Sequence, residues 1–339
     1  MRSSALAGLA LLGAAAAGCN RDYPNPFSQA SSSVPPPASA AILFTSGQWS
    51  AAPGAGREIY SMNLDGSGVL RLTSCNNGEQ PCDTAEATPA PDRVRVYTRR
   101  SVGDPLTLPA LVYLDLSRSV GTEVIPTSLA SSSVDWSPQD GVIVYTARGE
   151  AGADDIWAMD VNGQNNRNLT TTGAVRERAA RIDPSGSVAV YERLEGLQTG
   201  KSRIFLFQNT QTQIAITSGG PGTEILPTTN YVVGSDTDPD FSPDGRSIVF
   251  RRLTGTGNAG FGTWDICTAT LTGANLAVIA TGPFYRGAPD WGPRGIVFTE
   301  TDVATGTARV VVVQPDGTGR QVPLTQASRF NLGTARWLP

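Results

Sequence analysis

Carboxylates and thiols are the groups from which this chain would have to build acid–base or metal chemistry, because none of its 339 residues is His. That absence removes Ser-His-Asp and Cys-His nucleophiles, imidazole metal ligands and histidine pH switching. The densest acidic spacing is Asp236, Asp238 and Asp240, alternate residues as at the opening of a calcium loop. An EF-hand would continue with Gly at 241 and Glu at 247, where the chain has Phe241 and Ser247. Ca2+ would need further oxygens from elsewhere in the fold, so no cofactor or metal is expected and Ca2+ is the alternative. Residues 255–260 read GTGNAG, the spacing of a dinucleotide fingerprint, but Phe261 to Trp264 leads into another strand-like run. No helix N-terminus would be there to hold a pyrophosphate. Of four cysteines, Cys75 and Cys82 share one loop and are expected to form a local disulfide in an oxidising compartment, two independent thiols being the alternative. Cys267, in an apolar run, reads as a buried thiol. Carboxylate-pair glycoside hydrolysis needs no His, yet no acidic pair stands out, and no catalytic residue is assigned.

The elements that would position such groups are read from a repeat. An aromatic or apolar residue, a small residue and Pro, often with Asp-Gly, precede a β-rich run. The pattern appears as Trp136-Ser137-Pro138, Ile182-Asp183-Pro184, Phe241-Ser242-Pro243-Asp244-Gly245 and Trp291-Gly292-Pro293, with partial copies at Pro89-Ala90-Pro91-Asp92 and Trp337-Leu338-Pro339. Its anchors stand at 89, 136, 182, 241, 291 and 337, every 46 to 59 residues. Pro presets the second turn position and Gly takes positive φ at no steric cost, so the motif joins two antiparallel strands. A third apolar run follows in each copy, such as Ile59 to Met62 or Ile156 to Met159, then a hairpin signal such as Asn162-Gly163 or Asp316-Gly317, then a short fourth run ending near Leu72-Thr73 or Leu324-Thr325. Four short strands per copy make a propeller blade, which buries its faces only against its neighbours. The excess of turn formers, 37 Gly and 24 Pro, fits that reading, as does a charged fraction of only 17%.

The fold class is therefore an all-β, six-bladed β-propeller of four-stranded antiparallel blades over residues 40–339. The last copy ends after its first strand, while the folded part opens with Ile42 to Thr45, a second-strand sequence. The closing blade is thus expected to take one strand from the C-terminus and three from residues 41–73, leaving no open edge.

These repeats resemble the WD40-like (PD40) repeats of the TolB family of periplasmic β-propellers, with the full Ser-Pro-Asp-Gly at 242–245. The resemblance implies a noncatalytic, protein-binding propeller of the cell envelope. Members of that family carry an α/β domain ahead of the propeller, and here only a signal and spacer precede Ala40, which sets a Tol-Pal component apart as an alternative. Residues 1–18 have one charge, Arg2, then an uncharged Ala/Leu/Gly run, the layout of a secretory signal. Their ending, Ala16-Ala17-Gly18-Cys19, resembles a bacterial lipobox, which implies lipid attachment at Cys19. Asn20 in place of Asp implies the outer membrane. Residues 19–39 follow as a Pro/Ser-rich tether.

In an antiparallel blade the short turns share one face and the long connections the other. Residues 46–58, 74–87, 194–201, 218–238 and 253–263 would gather on a long-loop face, where binding concentrates on rigid scaffolds. The inner strands would bring Asp135, Glu177, Arg178, Arg181, Asp236, Asp238, Asp240, Arg286, Asp290 and Arg336 to a mixed-charge channel mouth there, able to hold a peptide or other polar ligand; blade-to-blade salt bridges are the alternative. A formal net charge of -4 argues against nucleic acid. The expected protein is thus a lipid-anchored, monomeric envelope propeller that binds an envelope protein or peptide. A glycan-active hydrolase and a substrate-gating propeller beside a separate peptidase are the rivals.

Overall fold

Near-continuous apolar strands separated by Pro/Gly turns form six sheets in the computed structural model, which describes residues 33–47, 56–73, 82–102, 110–117, 120–125, 130–137, 141–149, 152–161, 163–173, 175–194, 200–209, 212–226, 231–257, 261–326 and 332–339. Strands β1 (Ile42–Ser46), β2 (Glu58–Met62) and β3 (Leu70–Arg71) belong to the closing blade. Blade 1 follows as β4 (Cys82–Pro89), β5 (Arg95–Val102), β6 (Ala110–Asp115) and β7 (Val120–Ile125). Blade 2 is β8 (Ala130–Trp136), β9 (Val142–Arg148), β10 (Asp154–Asp160) and β11 (Arg167–Asn168). Blade 3 is β12 (Arg176–Ile182), β13 (Ala189–Leu194), β14 (Ser202–Asn209) and β15 (Thr212–Ala215), and blade 4 is β16 (Asp236–Phe241), β17 (Ser247–Gly255), β18 (Thr263–Thr270) and β19 (Ala277–Ala280). Blade 5 has a divided inner strand, β20 (Phe284–Arg286) and β21 (Asp290–Gly292), both paired with β22 (Gly295–Asp302), then β23 (Ala308–Val313) and β24 (Gln321–Gln326). Finally β25 (Leu332–Trp337) completes blade 6.

Blade 6 has the order β25-β1-β2-β3, with Ile42 opposite Trp337 and Leu43 opposite Arg336. Closure from both ends is therefore as the repeat predicted. Arg93, in the β4–β5 turn, fastens the seam: its guanidinium donates to the carbonyls of Pro37, Ala40 and Pro339 at 3.0, 2.7 and 2.6 Å.

Alternation along each middle strand explains why these strands read as unbroken apolar runs. In β9, Ile143, Tyr145 and Ala147 pack toward blade 1, while Val144 packs toward blade 3. In β17, Ile248 and Phe250 face blade 3 and Val249 faces blade 5. Each of the six seams has its own apolar cluster, as expected of a sheet buried on both faces. A further cluster, Leu194, Leu226, Tyr231, Val233, Leu253 and Trp264, lies beneath the long β15–β16 connection. On the opposite face the turns are tight. In the Ser-Pro-Asp-Gly copy, Gly245 takes φ +67°, and Asp244 accepts from the Ser242 hydroxyl at 2.6 Å and the Arg246 N–H at 3.1 Å.

Inner strands share one irregularity that no glycine announces. Pairing slips between Thr84 and Glu86, between Arg178 and Arg181 and between Thr237 and Asp240. Ser133, Ala179 and Asp238 hold positive φ of 43°, 53° and 49° at equivalent positions. Such bulges leave one residue out of the ladder and re-aim its neighbours. In blade 5 the slip becomes the gap between β20 and β21.

Candidate functional site

Counting along each inner strand relative to its bulge sorts the side chains into three columns with different roles. The first contains Thr88, Asp135, Arg181, Asp240, Asp290 and Arg336. It works sideways, from blade to blade. Asp135 Oδ2 accepts the Ile182 N–H at 2.9 Å, Asp240 Oδ2 the Trp291 N–H at 2.7 Å and Asp290 Oδ2 the Trp337 N–H at 2.7 Å. Thr88 donates to the Val134 carbonyl at 2.9 Å, and Arg336 Nη1 donates to Asp290 Oδ1 at 2.9 Å. Burial pushes the carboxyls of Asp135, Asp240 and Asp290 upward, and for Asp240 the neighbouring Asp290 adds to it. Arg181, 3% exposed, stands among them; burial disfavours its charge, but Asp135 and Asp240 outweigh that and raise it.

Further along each strand, the second column points into the seams. Asp236 is 0% exposed and is held by Arg252 through two bonds of 2.6 and 2.9 Å. Arg286, 1% exposed, turns its guanidinium to Glu300 at 3.1 Å, the Trp264 carbonyl at 2.5 Å and the Thr281 carbonyl at 2.6 Å. Glu300 in turn receives Arg320 at 2.8 Å. Glu177 occupies this column in blade 3, also fully buried. One step along, Arg178 reaches Asp154 of blade 2 at 2.8 Å.

The third column, at the bulges, lines the channel mouth. Glu86, Asp238, Ala288 and Thr334 face an opening of about 240 Å³ together with Arg57, Arg99, Arg251 and Tyr285. Arg251 is its best-anchored cation: Nε donates to Asp238 Oδ2 at 2.5 Å, Nη1 to the Arg286 carbonyl at 2.8 Å, and the guanidinium lies 4.2 Å from the Trp264 ring centroid. Burial opposes its charge, while Asp238 and Tyr285 raise it further. Arg57 makes a fork on Asp83 at 2.9 and 2.6 Å. Behind the mouth, Glu192 accepts the Tyr231 hydroxyl and the Asp238 N–H, and burial with the Asp238 charge pushes its carboxyl up. Space is kept by Gly287 and Gly333. A Cβ at either would stand 2.3 or 2.2 Å from the hydroxyl of Thr299 or Thr45.

Of the ten residues expected at the mouth, all of them described, Asp238 lines this opening. Asp135, Asp240, Asp290 and Arg336 tie adjacent blades, Arg181 sits among them, Arg178 pairs with Asp154, and Glu177, Asp236 and Arg286 lie in the seams. Asp236, Asp238 and Asp240 diverge to Arg252, Arg251 and the Trp291 N–H, so their spacing does not gather oxygens at one point. Among the described residues no group of three or more His, Cys, Asp or Glu is placed to hold a metal ion. Sequence reading missed Arg57, Glu86, Arg99, Arg251 and Tyr285. Aligning the six inner strands two residues before the first column would have found the Glu86–Asp238 position; the arginines carry no such signal. Cys267 is buried, which pushes its thiol up to about 12. Cys19 and Cys75 lie outside the described residues, as does the side chain of Cys82.

Solved structures with this architecture include TolB from Acinetobacter baumannii, 16% identical, with 90% of this chain matching 68% of that one at a TM-score of 0.67. A putative TolB from Agrobacterium tumefaciens is 14% identical, with 88% of this chain on 98% of that one and a TM-score of 0.56. A chain of a nidogen/laminin complex is 14% identical, with 88% on 98% and a TM-score of 0.61. At such identities the likeness is one of fold, a TolB-like six-bladed propeller. No protein-family model matches the chain, and no curated protein does.

Proposed function

We propose that this chain is a lipid-anchored propeller of the bacterial cell envelope that acts as a noncatalytic scaffold, receiving a segment of another protein at the channel mouth. One observation carries the reading: residues from four blades converge on a single opening that alternates Arg57, Arg99 and Arg251 with Glu86 and Asp238 beside Tyr285. Its volume of about 240 Å³ falls below the ~300–1,000 Å³ of small-molecule pockets and suits a few side chains of a peptide. The mixed charges suit a segment carrying both signs, with Tyr285 as an aromatic anchor. The TolB-like architecture supports an envelope setting, and the chain solved with laminin supports protein binding by such a ring. The lipobox-like Cys19 supports the anchor.

A photo-crosslinking residue at Tyr285, compared with one at Thr318 in a short turn of the opposite face, tests this in native envelopes. Position 285 is expected to capture one defined partner, and the paired substitutions Glu86→Arg and Arg251→Glu to abolish capture. Equal labelling from both faces, or capture indifferent to those charges, would refute the site. Replacing Cys19 by Ser should release the chain from the membrane fraction; retention there would refute the anchor alone.

A further inference from the structure

Two arginines of the channel mouth are locked on one edge by the propeller's own acids and keep donors to spare on the other. Arg57, just before β2, sets Nε and Nη2 on Asp83 at 2.9 and 2.6 Å. Arg251 on β17 sets Nε on the Thr237 hydroxyl at 3.0 Å and on Asp238 at 2.5 Å, and Nη1 on the Arg286 carbonyl at 2.8 Å and the Tyr285 hydroxyl at 3.5 Å. A guanidinium carries five N–H donors in a planar fork. Among the described residues, Arg57 Nη1 and Arg251 Nη2 have no acceptor, and both side chains line the opening of about 240 Å³.

The wall between them is built to let a group approach. Tyr285 lines the same opening and bears on the charges of both arginines. Its hydroxyl accepts from Arg251, which leaves its own proton to donate. At Gly333, also in the lining, a Cβ would stand 3.4 Å from Arg57 Cδ and Nη1, so the absent side chain keeps that NH2 group uncovered. Arg251 is fixed further by the Trp264 ring, 4.2 Å from its guanidinium to the centroid, and by the Tyr285 ring at 5.8 Å.

The remaining lining decides which anion suits these donors. Glu86 and Arg99, opposite one another in the β4–β5 register, complete it with Asp238. Two acids beside three arginines disfavour a doubly charged anion such as phosphate. A carboxylate brings one charge and two coplanar oxygens, one for each spare NH2 group.

Resting on the reading that the mouth receives a segment of another protein, we propose that the group it recognises is a carboxylate of that segment, held between Arg57 Nη1 and Arg251 Nη2 with the Tyr285 hydroxyl as a third donor. Charge-assisted bonds of this kind are about twice as strong as neutral ones. Because the other edge of each guanidinium is already tied down, little side-chain freedom is lost on binding.

NMR of the arginine Nε signals of the full chain, titrated with three short probes, tests the proposal. N-acetyl-Glu-Ala amide offers a side-chain carboxylate, N-acetyl-Gln-Ala with a free C-terminus offers a terminal one, and N-acetyl-Gln-Ala amide offers none. At least one carboxylate probe is expected to shift the Arg57 and Arg251 signals saturably, with an affinity about tenfold or more above that of the amide, and which probe does so identifies a side chain or a chain end as the source. Arg57→Gln should remove that preference. Should it not fold, Tyr285→Phe provides the second variant, with the preference reduced. Equal responses to all three probes, or inorganic phosphate binding more tightly than either carboxylate, would overturn the proposal. A partner captured from position 285 alongside equal probe responses would overturn the carboxylate and leave the scaffold reading standing; carboxylate binding without capture would do the reverse.

Discussion

Blades 3 and 4 place an acid opposite an arginine at one and the same cross-strand position, Glu177 across from Arg193 and Asp236 across from Arg252. In blade 4 the two meet as a buried fork; in blade 3 they do not meet. What differs is the next strand out. Arg252 has Asp265 opposite it on β18, a second acid whose charge favours the guanidinium there. Arg193 has Arg203 opposite it on β14, and its own guanidinium is drawn away toward Gln213 and the Phe205 ring. Register therefore brings residues to the same place, but the third strand decides whether they pair. Blade 5 repeats the lesson with the signs reversed, Arg286 against Glu300 with Arg309 beyond.

The largest effect separates ring closure from pairing altogether. Deleting residues 335–339 removes half of the inner strand of blade 6 with most of its pairing to β1, the Trp337 link to Asp290 and one of the carbonyls held by Arg93, and should abolish the single cooperative transition in urea. A truncated chain with an unchanged midpoint would mean that ion pairs, not closure, dominate stability. Next, Arg252→Ala strands Asp236 at 0% exposure and is expected to cost about 3–5 kcal/mol. Arg193→Ala, which loses a Gln213 bond and packing on Phe205, should cost about 1 kcal/mol. Equal costs in urea titrations would break the comparison.

Gly287→Ala extends the test to blade 5, where a Cβ would meet the Thr299 hydroxyl at 2.3 Å. It should cost about 1–3 kcal/mol by overpacking; the adjacent columns of blades 3 and 4 carry the full side chains Arg178 and Thr237. The smallest effect is on pH dependence. Burial holds the Glu177 carboxyl near 7, above its ordinary 4.5, so the native state keeps a proton that the unfolded chain has already released. Its contribution is fully present below pH 4.5 and is lost as pH rises through about 7. Stability should fall from pH 5 to pH 8 in the wild type, and Glu177→Gln should make that fall less steep, the remainder coming from Glu192 and Asp290, which burial also pushes up to about 7. An unchanged slope in the variant would place the titration elsewhere.

Ring number, blade composition and closure were legible because each rests on local signals repeated six times: a Pro-Gly turn, an apolar run, a hairpin. The first column was legible as a position, since Asp135, Asp240 and Asp290 precede the aromatic anchor directly. Its role was not, because the main-chain N–H that each carboxylate accepts lies 47 to 51 residues away in the next blade. The bulges escaped for another reason. Ser133, Ala179 and Asp238 take positive φ without being Gly, and only Pro239 and Pro289, which cannot donate to the ladder, hint at the slip in blades 4 and 5. Reading the strands as unbroken placed Asp236 and Arg286 at the mouth; the slip turns them into the seams and gives the mouth to Glu86, Asp238 and the arginines behind them.

A pair of double-mutant cycles measures the contrast between the two blades most directly. For Asp236→Ala with Arg252→Ala, the coupling energy in urea unfolding should exceed about 2 kcal/mol, and for Glu177→Ala with Arg193→Ala it should lie below about 0.5 kcal/mol. Equal coupling in blades 3 and 4 would contradict the account, since it would mean that register alone, and not the third strand, sets the pairing.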